Sequence, residues 1–369
     1  MEKSNRSLSL DIFRGMTVCF MIIVNTSGNW ATTYAPLLHA NWNGFTPTDL
    51  VFPSFLFAVG NSMSFAMDKW KIMSQREVLF KIFKRTFIIF LLGFLMYWFP
   101  FYKLDADFNK LPFPFSETRI FGVLQRIAIC YGLASLMLYY FKPKISLYIS
   151  AGILIVYWII FAFYGPYDIH KNPVLDLDLR IFGENHLYKG EGFAFDPEGL
   201  LSTFPALVNV FAGYFTGKYI REKGFNYEML SKLFITGFVL LAAGFMWNYG
   251  FPINKKLWTS SYVLLTIGLS LMMLGMIIYY SDFIKKSNRI YFFQVFGKNT
   301  LAIYLFSEIL PIIMYHIPIG KTNSYSWIYQ HIFAKFGDYS GAFLFAFSIM
   351  MICWTAGYWL DKKRIYIKI

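Results

Sequence analysis

Apolar residues fall in ten stretches along the chain, at roughly 8–28, 50–67, 86–100, 119–141, 145–165, 200–220, 231–249, 258–281, 293–317 and 341–360. A polar or basic run separates each from the next. A helix needs about 20 largely apolar residues to cross a bilayer, and helices satisfy all their backbone groups internally there. The pattern predicts an all-α integral membrane protein, a polytopic helical bundle of about ten transmembrane helices. The second and third stretches are short, and are expected to be tilted or incomplete. The connections are too short to hold another core, so residues 1–369 are read as a single transmembrane domain. The longest connection, near 166–199, is expected to be an ordered outer loop.

Composition agrees with this pattern. Charged residues make up 15% of the chain, against about 25% in a soluble domain. The net charge of +13 does not point to nucleic acid, because Lys and Arg sit in short runs between apolar stretches. One set of loops holds Lys3, Arg6, Lys69, Lys71, Arg76, Lys81, Lys84, Arg85, Lys142, Lys144, Lys218, Arg221, Lys223, Lys285, Lys286, Arg289, Lys362, Lys363 and Arg364. The alternate set is less basic and rich in Pro, Asn and Tyr. Positive charge marks the cytoplasmic side, so both termini are placed in the cytoplasm, in keeping with an even number of spans. The loop after the first span then faces outward, as do 101–118, 166–199, 250–257 and 318–340. The first apolar run lacks a small-residue cleavage site and extends too far for a secretory leader. Cys19, Cys130 and Cys353 each lie inside an apolar stretch and are read as small buried residues. No internal repeat is visible, which argues against an inverted-repeat transporter.

Polar groups inside spans are costly and by default mark a function. Most lie toward the outer face: Asn25 at the end of the first span, His39 and Asn43 in the loop, and Asp49 opening the second span. Arg119, Gln125 and Arg126 fall in the outer half of the fourth stretch, Asn248 ends the seventh, and Glu308 lies in the outer half of the ninth. Asn209 lies near the middle of the sixth. The stretch HANWNG, residues 39–44, is expected to cap a cavity entering from outside. Asp11 and Arg14 lie at the other end, spaced i,i+3 and able to pair; they form either a structural strut or an inner ligand mouth. No metal-binding spacing, nucleophile elbow, phosphate loop or dinucleotide motif is present. His39 remains as the one candidate base, with amide and carboxylate neighbours, and periodicity alone does not choose its reaction.

Five segments share one order with a known family: SLDIFRGMTVCFMIIVN, HANWNGFTPTDLVFPSFLFAVG, GVLQRIAICY, FPINKKLWTSSYVL and GKNTLAIYLFSE. The chain resembles the transmembrane acyltransferases related to heparan-α-glucosaminide N-acetyltransferase and their bacterial homologues, over nearly its whole length. The resemblance implies transfer of an acetyl group from cytoplasmic acetyl-CoA to an acceptor across the membrane, an amino sugar or a glycan. It matches the family's catalytic His to His39 and a functional Asn to Asn25. It also implies a homodimer in contact with membrane lipid. The large luminal domain of the animal enzymes has no counterpart in this sequence, which favours a bacterial inner membrane.

The chemistry that this resemblance implies suits the residues. An amine attacks a thioester only when unprotonated, and a neutral His near pH 7 can take its proton. The Asn25 amide can donate to the oxyanion, and Asp49 either fixes the His39 tautomer or orients the sugar. Direct transfer is preferred to an acetyl-His intermediate. Arg14 is the first candidate for the coenzyme phosphates, with Arg126 and Lys256 as alternatives. Trp258 lines the channel, stacks on adenine or anchors at the interface. Asn43, Asn248 and Glu308 are candidates for acceptor contacts, and no metal is expected. The rival readings are an O-acyltransferase of a surface polysaccharide and a transporter of a small polar solute.

Overall fold

A computed structural model describes residues 8–165, 167–284 and 290–367. Lys3, Arg6, Lys285, Lys286 and Arg289, which carry part of the charge asymmetry, lie outside the described residues. The chain runs through α1 (Leu8–Asn25), α2 (Val51–Trp70), α3 (Gln75–Trp98), α4 (Val123–Tyr140), α5 (Pro143–Tyr164), α6 (Pro173–Phe182), α7 (Thr203–Lys223), α8 (Tyr227–Trp247), α9 (Ser260–Ile278), α10 (Tyr291–Lys298), α11 (Thr300–Tyr315), α12 (Ser324–Ile328) and α13 (Asp338–Lys362). Two short antiparallel hairpins, Tyr102–Leu104 with Lys110–Pro112 and Pro318–Ile319 with Thr322–Asn323, decorate the loops. A helix covers each of the ten apolar stretches. Among the described residues, seven helical segments are long and apolar enough to cross a membrane: α1, Pro47–Trp70, α4, α5, α8, Ser260–Phe283 and α13.

Three boundaries depart from the pattern. α3 starts at Gln75 rather than near 86, because Ser74 and Glu77 form a capping box: the Glu77 carboxylate accepts from the Ser74 N–H at 2.9 Å. Lys81, Lys84 and Arg85 within that helix hid its first turns in the hydropathy pattern. The ninth stretch is two helices, broken at Asn299. The Asn299 side chain donates to the Ile365 carbonyl at 2.9 Å and accepts from the Ile367 N–H at 2.9 Å, tying down the segment after α13. α4 begins at Val123, so Arg119 precedes it and belongs to the loop.

Burial sorts the helices. Within its most apolar window, 72% of the α9 segment and 67% of α1 are buried, against 28% of α5 and of α8. The first two are therefore central, and the last two form a rim. Between apolar helices, close backbone approach replaces the drive of water exclusion. A Cβ on Gly60 of α2 would lie 1.8 Å from the Val210 carbonyl oxygen of α7, and one on Gly213 of α7 would lie 1.9 Å from that of Phe57. Gly15 of α1 and Gly297 of α10 form a second such pair. Gly60→Ala is expected to cost about 1–3 kcal/mol through overpacking, seen as a lower unfolding temperature in detergent. Gly152→Ala is the control, since a Cβ there meets nothing within 4 Å; it should be neutral or stabilising.

Residues 167–202 fold as an ordered cap around α6. Val174, Leu175 and Phe195 of this segment pack with Tyr157, Phe161, Phe251 and Leu257, joining it to α5 and to the loop before α9. Trp42 Nε1 donates to the Tyr167 carbonyl at 2.7 Å, which ties the His39 loop to the same cap.

Candidate functional site

The site starts from a helix cap. Thr46, Pro47 and Asp49 begin a helical turn that runs into α2, with Pro at the first position and Asp at the third. Asp49 Oδ2 accepts from the Thr46 N–H at 2.9 Å, the Thr46 hydroxyl at 3.1 Å and the Ala40 N–H at 3.2 Å. Its other oxygen, Oδ1, lies 2.7 Å from His39 Nδ1. The carboxylate that ends the helix thus also orients the imidazole. With Nδ1–H donating to Asp49, Nε2 is left as the basic nitrogen. Asp49 is fully buried while the His39 side chain is 40% exposed, so the pair is anchored inside and open outside.

A second loop closes on the first. Gly44 N–H donates to the Ile253 carbonyl at 2.8 Å, and Asn254 Nδ2 donates to Asn43 Oδ1 at 3.2 Å. Asn254 Oδ1 accepts from the Leu257 N–H at 2.9 Å, and the Thr259 hydroxyl donates to the Pro252 carbonyl at 2.9 Å. This self-bonded turn delivers Lys255, whose Nζ lies 3.0 Å from His39 Nε2 and 3.3 Å from Nδ1. Burial and the Lys255 charge hold His39 below the ordinary imidazole value, against the opposing pull of Asp49. Burial also lowers the Lys255 ammonium, with Glu198 and Asp49 resisting.

Glu198 belongs to the cap. Arg119 donates to both Asp196 oxygens at 2.8 and 2.7 Å and to Glu198 Oε2 at 2.7 Å. Tyr97 and Tyr188 lie against its guanidinium, 4.8 and 4.7 Å from ring centre to Cζ. Burial pushes the Glu198 carboxyl up, but Arg119, Lys255 and Arg126 pull it below the usual range. Its charge acts on His39 on one side and on Tyr97 on the other. Beyond Tyr97, Asn25 Nδ2 donates to Glu308 Oε1 at 3.3 Å.

The sequence candidates therefore fall in several separate places. His39 and Asp49 are in contact. Asn25 and Glu308 form a separate pair, and no hydrogen bond joins Asn25 to His39. Asn43 and Asn248 hold loops together, the latter accepting from the Ile253 N–H at 2.8 Å. Arg126 is fully buried beneath the site; it donates to the Gly199 carbonyl at 3.1 Å and to the Ser202 hydroxyl, and packs over Trp258 at 4.8 Å. Its Nε and Nη1 have no hydrogen-bond partner among the described residues. Trp258 is fully buried and donates to Asn209 Oδ1 at 3.1 Å, so it sits in the core rather than at a membrane interface. Lys256 pairs with Glu191 at 2.5 Å. Arg14 pairs with Asp11 and reaches Ser62 at 3.4 Å, at the opposite end of α1 from Asn25. Lys255 and Glu198 were not among the sequence candidates. The doublet Lys255–Lys256 was the one signal for the former, and it does not say which amine turns inward; Glu198 had none. Among the described residues, no three His, Cys, Asp or Glu side chains are grouped to hold a metal.

A helical membrane protein with a solvent-exposed His paired to a buried Asp, braced by a lysine and a buried carboxylate cluster, is the class that this geometry defines. The sequence model described as heparan-alpha-glucosaminide N-acetyltransferase, catalytic, matches residues 6–244, and the chain belongs to that family. It is 27% identical over 319 residues to the mouse heparan-alpha-glucosaminide N-acetyltransferase, covering 71% of this chain and 47% of that protein. The human protein of the same name gives 28% over 315 residues, covering 70% and 46%. The chain thus spans about half the length of these curated relatives. The family match contains Arg14, Asn25, His39, Asp49 and Arg126, and ends before Lys255 and Glu308.

Proposed function

We propose that this protein is a membrane-embedded acetyltransferase that moves an acetyl group from acetyl-CoA on the cytoplasmic side to an amino sugar or amine-bearing glycan on the outer side. The observation that carries the reading is the His39–Asp49 contact at 2.7 Å with the imidazole open to solvent. The amine nitrogen attacks the thioester carbonyl and gives its proton to His39 Nε2. Collapse breaks the C–S bond, and the departing thiolate takes the proton back. The site needs a neutral imidazole, and the lowered His39 value supplies one at pH 7. An amine acceptor is preferred to a hydroxyl because the matched family is described as an N-acetyltransferase.

Acetyl-CoA has to reach this point from the other end of the bundle. Eleven residues separate Arg14 from Asn25, about 17 Å at the helical rise, a span suited to the extended pantetheine arm. Arg14 is assigned to the phosphates. The unpartnered Nε and Nη1 of Arg126 suit an amide or carbonyl oxygen of the arm. Arg14→Lys keeps a cation on Asp11 but loses the planar fork. It is expected to weaken acetyl-CoA binding by roughly tenfold, about 1.4 kcal/mol, with an unchanged unfolding temperature. Calorimetric binding alongside thermal melting checks this, and unchanged binding would reduce Arg14 to a strut.

Purified protein incubated with labelled acetyl-CoA and glucosamine should yield labelled N-acetylglucosamine, and a sugar offering only hydroxyls should not. Label on hydroxyls alone would turn the reading to O-acylation. Solute flux in liposomes with no acetyl transfer would defeat it.

A further inference from the structure

Lys255 reaches the basic nitrogen of His39 at 3.0 Å, and its position relative to the ring is informative. A group seated on the in-plane lone pair of Nε2 would lie on the far side of the ring from Nδ1. The Lys255 Nζ is instead nearly equidistant from the two nitrogens, at 3.0 and 3.3 Å. It therefore lies off the in-plane lone pair of Nε2, which points past it. The ammonium does not block the base; it stands beside the place where the base would meet a substrate.

Lys255 is also fixed there. Its turn is closed by the Trp258 N–H to the Lys255 carbonyl at 3.0 Å and the Thr259 N–H to the Asn254 carbonyl at 3.1 Å. The contacts of Asn43 and Gly44 lock this turn to the His39 loop. The charged groups facing the pair are Asp49 from the start of α2, Glu198 from the cap, Lys256 from the same turn and Arg126 from α4. The two carboxylates favour the ammonium form, against burial and the two neighbouring cations. Asn25, by contrast, gives its amide to Glu308 and makes no hydrogen bond to His39.

We propose that Lys255 is a catalytic residue, the cation that receives the oxyanion while His39 takes the amine proton. This rests on the acetyltransferase reading. As the amine nitrogen bonds to the acetyl carbon, the carbonyl π pair moves to oxygen beside the Lys255 ammonium, and the N–H proton passes to Nε2. The oxygen pair then returns, the C–S bond breaks, and the thiolate leaves with the proton from His39. Lys255 donates hydrogen bonds throughout and ends as it began. A fixed donor in a partly dry site is worth far more to a developing charge than water is. After burial, the same cation is the second influence holding the His39 value down, so one residue bears on both halves of the step.

The test uses the full chain in detergent, with acetyl-CoA and glucosamine, comparing Lys255→Met and Lys255→Arg over a range of pH. Lys255→Met should lower kcat about 10²–10³-fold with little change in KM for acetyl-CoA, the signature of a contact made in the transition state. Lys255→Arg retains the charge and should recover to within roughly tenfold of wild type. Removing the cation raises the His39 pKa, so the acid limb of the Lys255→Met profile should move to higher pH. An NMR titration of His39 should show the same shift without any substrate. A folded Lys255→Met with near-normal kcat would overturn the proposal. So would equal losses in both variants with no movement of the acid limb, which would make Lys255 a packing residue. A wild type that transfers no acetyl group would be a failure of the acetyltransferase reading itself.

Discussion

His39→Ala is expected to lower acetyl transfer by about 10²–10⁴-fold, the span usual for a removed general base, while acetyl-CoA still binds. The reason is local. His39 is held by a carboxylate that also accepts from the Thr46 N–H in the turn leading into α2 and from the Ala40 N–H of the loop, so the loop keeps its shape when the ring is cut away. Of the groups described around it, Lys255 and Arg126 are cations, Glu198 is bonded to Arg119 and Asp49 Oδ2 holds the Ala40 and Thr46 N–H groups, so none of these is set to replace it. Steady-state turnover and equilibrium binding on the same preparation check both halves. Near-normal turnover would remove His39 from the mechanism.

Arg119→Ala should produce the largest loss of stability, about 3–5 kcal/mol, the range for stripping one partner from a buried ion cluster. Asp196 has no side-chain exposure and Glu198 only 8%, so both carboxylates would be left without their cation and away from water. The cap would loosen, and with it the carboxylate that faces Lys255. Thermal unfolding in detergent measures this. Arg119→Lys should lose less, because one ammonium retains charge but not the fork across Asp196 and Glu198. An unchanged unfolding temperature in Arg119→Ala would show that the cluster contributes specificity rather than stability.

Those two residues also mark what could be read from the chain. His39 and Asp49 are ten positions apart, and the capping pattern Thr46 to Asp49 belongs to a single turn, so both the pair and its setting were visible. The apolar stretches gave the helices for the same reason, as spacing along one segment is a local property. The failures lie where the partner is distant. Lys255 meets His39 across 216 residues, and the choice between Lys255 and Lys256 depends on the register of a turn made by Asn254 and Thr259. Glu198 reaches the site only because Arg119 and the packing of α6 fold the cap inward. Asn25 and Glu308 were both picked out as polar groups at one depth, yet their pairing across 283 residues was not foreseen. Arg126 reads as one alternative for the coenzyme, and Trp258 as a channel, adenine or interfacial residue; that the two pack on each other, with Asn209, Ser202 and the Gly199 carbonyl as partners for their polar atoms, was not legible.

The measurement that bears most directly on the whole account is vectorial transfer in sealed proteoliposomes. Glucosamine is trapped on one side and labelled acetyl-CoA is supplied on the other, with the protein inserted in a known orientation. The account predicts labelled N-acetylglucosamine in the compartment that the His39 loop faces, and none with His39→Ala. Label forming only when donor and acceptor share a compartment, or forming equally in His39→Ala, would contradict it.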